Sequence, residues 1–163
     1  MRPDIMTLGK GLGAGVALSA VLATERASCF EPGDQGGTFN GNPFGTAVAL
    51  RVLDIVSEPA FLEHVTHMGR MLRAGLEALA QEFGGHVRGR GLLLAWVLDR
   101  PVAPDLAERA SDLGLLVNAA RPEILRLMPS LRIARDEVEL AIALLRKAAA
   151  GLLAAAIALP RAP

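Results

Sequence analysis

Apolar residues at positions 62, 65, 68, 72, 76, 79 and 83 recur at helical spacing between Pro59 and the glycine pair Gly84-Gly85. This spacing predicts an amphipathic helix over 59–83, with one face packed, the other wet, and the glycines as its stop. A second helix is expected after Asn42-Pro43, a favourable N-cap followed by a favourable first helical residue, with Phe44, Val48, Val52 and Ile55 among its apolar positions as it runs towards Ser57. A short helix over 105–113 is ended by Gly114. Asp136, with Glu139 three residues on, reads as a capping box for a last helix carrying Val138, Ala141, Ile142 and Leu145. Apolar runs at 5–8, 16–23, 92–98, 115–117 and 124–128 read as strands, and 31–42, dense in Gly, Pro, Asp and Asn, reads as a loop.

From about residue 58 the elements alternate between helices and short strands in the α+β manner. The segment before it, with two strand candidates and one helix, cannot close a core by itself, and its strand edges stay unpaired. The division expected is therefore 1–57, 58–147 and a tail over 148–163, where an alanine-rich helix end frays before Pro160.

Hydrophobic residues make up 52% of the 163, yet no uncharged apolar run reaches the eighteen or so residues that span a bilayer, and no signal peptide is visible. Seventeen basic residues balance seventeen acidic ones, which favours small neutral or zwitterionic ligands over nucleic acid or an anionic membrane. Cys29 is the single cysteine. It excludes an internal disulfide, agrees with a reducing cytoplasmic setting, and is expected to be a small buried hydrophobe. His64 and His67 lie with Arg70 and Arg73 largely off the apolar stripe, so solvated histidines are expected there and no metal.

The chemistry concentrates at 7–15, where Lys10 stands among Gly9, Gly11, Gly13 and Gly15. Glycines on both sides permit positive φ and close approach of another molecule, and a lysine amine held there can attack a carbonyl to form a Schiff base. A glycine-rich turn with a solvated lysine is the plain alternative. A P-loop fails, because Gly11 follows the lysine where Ser or Thr is required. Gly9-x-Gly11-x-x-Ala14 satisfies the loose dinucleotide pattern, which stays open, although the strand before it is short and Glu25 comes early for a ribose-binding acid.

Four phrases in order carry a resemblance: 3–10 ending in Lys10; Phe30-Glu31-Pro32-Gly33-Asp34 leading into 37–43 with Thr38; Val87-Arg88-Gly89-Arg90-Gly91-Leu92; and Leu125-Arg126-Leu127-Met128-Pro129. Over residues 2 to about 147 the chain resembles the C-terminal part of the class III, pyridoxal-phosphate-dependent aminotransferases, and within them the branch acting on acetylated ornithine. The resemblance implies an α/β fold of type I for pyridoxal-phosphate enzymes: the end of the large cofactor-binding domain over 1–57, then an α+β C-terminal small domain. It implies that Lys10 is catalytic, carries pyridoxal 5'-phosphate as a Schiff base and shuttles the proton. Thr38 would bind the cofactor phosphate across a homodimer interface, and Arg126 would hold a substrate carboxylate.

The implied reaction moves an amino group between N-acetylornithine and 2-oxoglutarate in arginine biosynthesis, with succinylornithine and 4-aminobutyrate as alternative substrates. Family members carry a long segment before the lysine that supplies other cofactor-binding groups, whereas this chain begins nine residues before Lys10. The expectation is thus of a fragment whose lysine lacks those groups. An inactive remnant serving as an oligomerisation or interaction module is the alternative from a different class.

Overall fold

The computed structural model describes residues 2–158, which divide after Leu62 into two compact units. In the smaller unit, strands β1 (Ile5–Leu8) and β2 (Ala20–Ala23) pair antiparallel with Ile5 opposite Ala23 and Leu8 opposite Ala20. The expected strand over 16–23 loses its first half. Val16 spends its N–H on the Gly13 carbonyl, 2.8 Å away, to close the turn that leaves the glycine stretch. Helix α1 (Pro43–Val56) begins as the sequence predicts: Asn42 Oδ1 accepts from the Gly45 N–H at 2.7 Å, one of the donors that has no partner within a helix. Burial is sparse here. Phe39 is 81% exposed and Phe44 69%, as expected of a segment too small to close a core.

The larger unit is a two-layer sandwich. Helix α2 (Pro59–Phe83), whose first turn spans the division, is followed by β3 (His86–Arg90), β4 (Leu93–Val97), α3 (Ala103–Asp112), β5 (Asn118–Arg121), β6 (Ile124–Leu127) and α4 (Arg135–Ala158). The strands form an antiparallel sheet in the order β3-β4-β6-β5. Alternation along each strand sends Leu94, Trp96, Leu125 and Leu127 to one face, where they are buried against Leu72, Leu76 and Leu79 of α2, Leu106 of α3 and Leu145 of α4. Trp96 is fully buried, with its Nε1–H on the Gly84 carbonyl at 2.9 Å. Glu82 and Arg146 tie α2 to α4 at the surface, 3.1 Å apart.

Several expectations shift by local hydrogen bonding. No strand forms over 115–117, because the Leu115 N–H caps α3 on the Ala110 carbonyl at 2.8 Å; the pairing moves to β5. Strand β3 was hidden in sequence by its arginines and glycine, since only Val87 turns towards the core cluster from that segment. The expected Asp136/Glu139 box is replaced. Glu137, at the third helical position, accepts from the Ala134 N–H at 2.7 Å, while Glu139 pairs with Arg135 at 2.9 Å. Helix α4 continues through Ala148 and Ala149, both buried; the expected frayed terminus over 159–163 lies outside the described residues. Among the described residues no helix is long and apolar enough to cross a membrane. Cys29 is exposed, contrary to the expectation of a buried hydrophobe.

Gly69 fixes how closely α2 approaches the β3–β4 turn. A Cβ there would sit 2.8 Å from the Gly91 carbonyl carbon and oxygen, which are backbone atoms that cannot swing aside. Alanine would gain about 1 kcal/mol of helix propensity, against an overpacking cost of about 1–3 kcal/mol. Gly69→Ala should therefore lower unfolding free energy by up to about 2 kcal/mol in a denaturant titration; a higher midpoint would show that the contact yields.

Candidate functional site

Strand β1 delivers the chain to Gly9, which is fully extended (φ −170°, ψ −162°), and a one-turn 3₁₀ helix, Lys10–Gly13, follows at once. Lys10 itself has φ 49°, in the left-handed region that a side chain disfavours. The turn is closed by Leu12 N–H on the Gly9 carbonyl at 3.1 Å. Among the described residues the Lys10 amine has neither a hydrogen bond nor an ion pair, and the residue is exposed.

The neighbouring glycines divide by cause. Gly15 is glycine because its φ is 107°, and Gly13 because a Cβ would come 3.3 Å from the Leu18 Cβ. Gly9 and Gly11 have no such reason within the chain: neither has positive φ, and a Cβ would meet nothing nearer than 3.9 Å. They leave room beside the lysine that no described residue of the smaller unit fills.

Thr38 sits at the start of an exposed turn, closed by Asn40 N–H on the Gly37 carbonyl at 3.0 Å and followed by the Asn42 cap of α1. Among the described residues its hydroxyl and its N–H are both without partners. Gly36 repeats the pattern of Gly9 and Gly11, with no positive φ and nothing within 4 Å of a Cβ. The donor set fits pyridoxal phosphate: an amine for the aldehyde, a hydroxyl and an N–H for the phosphate, and glycines that keep a cradle open beside each.

Arg126 belongs to the larger unit, on β6 between buried Leu125 and Leu127, so alternation sends it to the opposite, exposed face. It stands across from Ala95 of β4 and Asn118 of β5. No carboxylate pairs with it among the described residues. It borders a cavity of about 720 Å³ with apolar walls that include Leu72, Val117 and Leu144, and with Asn118 and Arg132 also at its edge. Lys10 and Thr38 thus share the smaller unit, and Arg126 stands in the larger.

His64 corrects one expectation. It is half-buried, with Nε2 3.1 Å from the Ile133 carbonyl, and so ties α2 to the approach of α4 in place of standing in solvent. No group of three potential metal ligands occurs among the described residues. Sequence reasoning overlooked Arg88, which the register of β3 and β4 places across from Ala95, on the face that carries Arg126. The signal was its even separation from Arg90 beside inward Val87.

The family described as aminotransferase class-III matches residues 1–149. The acetylornithine aminotransferase of Ralstonia nicotianae is 49% identical over 150 residues, covering 90% of this chain and 38% of that protein. Its counterpart from Streptomyces coelicolor is 46% identical over 138 residues, 84% of this chain and 34% of that protein. In structure, the N-acetylornithine aminotransferase of Stenotrophomonas maltophilia K279a superposes with a TM-score of 0.82 at 35% identity, over 95% of this chain and 42% of that one. The chain spans little more than a third of the curated relatives' length.

The left-handed backbone at Lys10 has a measurable cost. Lys10→Gly should stabilise the β1–β2 ladder by about 1 kcal/mol, read from hydrogen exchange of its amides, while Lys10→Ala should leave it unchanged. Equal stability of the two variants would mean that the turn carries no strain.

Proposed function

The chain belongs to the class III aminotransferases, and from that premise we propose that it carries the lysine of a transaminase acting on N-acetylornithine and 2-oxoglutarate. The observation that carries the reading is Lys10: among the described residues, an amine without a partner on a left-handed backbone, flanked by Gly9 and Gly11, which no described residue requires to be glycine. In this reading residues 1–57 are the end of the cofactor-binding domain and residues 58–147 a C-terminal domain. The names of the relatives support acetylornithine as amino donor.

Bound pyridoxal phosphate would supply an aldehyde and an electron-withdrawing ring that loosens the bonds of an amine-bearing carbon. Each residue then has a separate task. Lys10 would hold the cofactor through its amine and would take up and return the proton at the substrate's amine-bearing carbon. Thr38 offers a hydroxyl and an N–H to the phosphate. In the proposed homodimer it serves the partner's site, a reading supported by the exposed Phe39 beside it and Phe44 in α1. Arg126 gives its planar fork to a substrate carboxylate, fixing charge and direction together.

Lysine keeps the charge of arginine without the fork, so Arg126→Lys isolates this last task. In the cofactor-loaded protein it should raise KM for acetylornithine and for glutamate by about tenfold, and leave an amine without a carboxylate unaffected. Wild-type KM values with both amino acids would move the carboxylate role to another residue.

A further inference from the structure

Strand β5 is an edge of the four-stranded sheet, with β6 on one side and, among the described residues, no strand on the other. Val117 and Ala119 both pack against the core cluster, so alternation turns Asn118, between them, to the opposite face, where it is exposed. Among the described residues its side-chain amide has no hydrogen-bond partner. A primary amide carries donors and an acceptor in one plane, so a free one at the edge of a cavity presents a defined pattern to a ligand.

Register sets what stands beside it. Asn118 lies directly across from Arg126, and residues so paired in an antiparallel ladder have backbones about 5 Å apart and side chains on one face. Both border the cavity of about 720 Å³. Leu116 and Met128, two residues beyond each along the chain, are exposed and line it as well, which offers an apolar surface to a ligand's carbon chain. The charged groups of the lining are Arg126, Arg132 and Glu137, and Glu137 already accepts from the Ala134 N–H at 2.7 Å. Two cations against one anion attract a carboxylate and oppose an ammonium. The neutral amide of Asn118 suits a neutral N–H.

We propose that Asn118 is a specificity-determining residue that, with Arg126, recognises the N-acylated α-amino acid end of the amino donor. This rests on the role given to Arg126 above and deepens it. Arg126 takes the carboxylate, while Asn118 Oδ1 accepts from the adjacent acylamide N–H and its Nδ2–H donates to a carboxylate oxygen. In an extended amino acid unit that N–H and that oxygen lie along one edge, so a single side-chain amide meets both. A free α-ammonium in the same place would meet the repulsion of Arg126 and Arg132. Asn118 thereby separates acetylornithine from ornithine without contacting the reacting carbon.

The test is equilibrium binding of N-acetylglycine and of 4-oxopentanoate to the 163-residue protein, followed by the Asn118 side-chain amide and Arg126 Nε–H resonances and needing no turnover. The two ligands differ only in an N–H that the second replaces by a methylene. The wild-type protein should bind N-acetylglycine more tightly by about fivefold, the effect of one hydrogen bond of ordinary net strength. Asn118→Leu keeps the side chain's branching and removes its polar atoms, and should bring the two affinities within about twofold of each other. Arg126→Gln should weaken both ligands and keep the preference; an unchanged amide spectrum checks that each variant is folded. Equal affinities in the wild-type protein, or a preference that survives Asn118→Leu, would overturn the Asn118 assignment, and the role of Arg126 would stand as long as Arg126→Gln weakens both ligands. If Arg126→Gln changes neither ligand, both fall.

Discussion

Burial of one face of the four-stranded sheet is the constraint from which the larger unit follows. Leu94, Trp96, Leu125 and Leu127 must all turn the same way to meet the leucines of α2, α3 and α4, and a period of two leaves no freedom for the residues between them. Arg126 is held outward by Leu125 and Leu127, and Arg88 by Val87 and the turn after it. A slip of one residue would drive an arginine into the core at a cost no surface contact could offset. The same burial that stabilises the unit thus aims its cations.

The smaller unit works by an opposite logic. It buries little, and its shape comes from backbone hydrogen bonds and a few special conformations. Lys10 occupies a left-handed position that glycine would fill with less strain, while Gly9, Gly11 and Gly36 occupy positions any residue could take. Strain at a reactive side chain together with vacant space beside it is the pattern of a site shaped for another molecule rather than for stability. The resemblance to aminotransferases gives that molecule a chemistry, and the free donors of Thr38 agree with it.

Much of this was legible beforehand. The α2 stripe from 62 to 83 set that helix to the residue and the Asn42-Pro43 cap set the start of α1, because periodicity and capping are local signals. Lys10 was legible as a candidate from its glycines, whereas Arg126 entered only through the resemblance. What escaped depended on partners distant in sequence. Val87 gains its inward role only by pairing with Trp96, Leu115 loses its strand to a helix cap, and His64 finds Ile133 sixty-nine residues away. Arg88 escaped for the same reason, since its row with Arg126 exists only once β4 lies between them.

The central claim is that Lys10 is the group through which this chain engages a carbonyl cofactor, and the sequence offers a built-in control because Lys147 is its only other lysine. The protein incubated with pyridoxal phosphate and reduced with borohydride should carry the cofactor on the peptide containing Lys10 and not on the one containing Lys147, with Lys10→Ala abolishing the label. Label on Lys147, or equal label on both, would contradict the account.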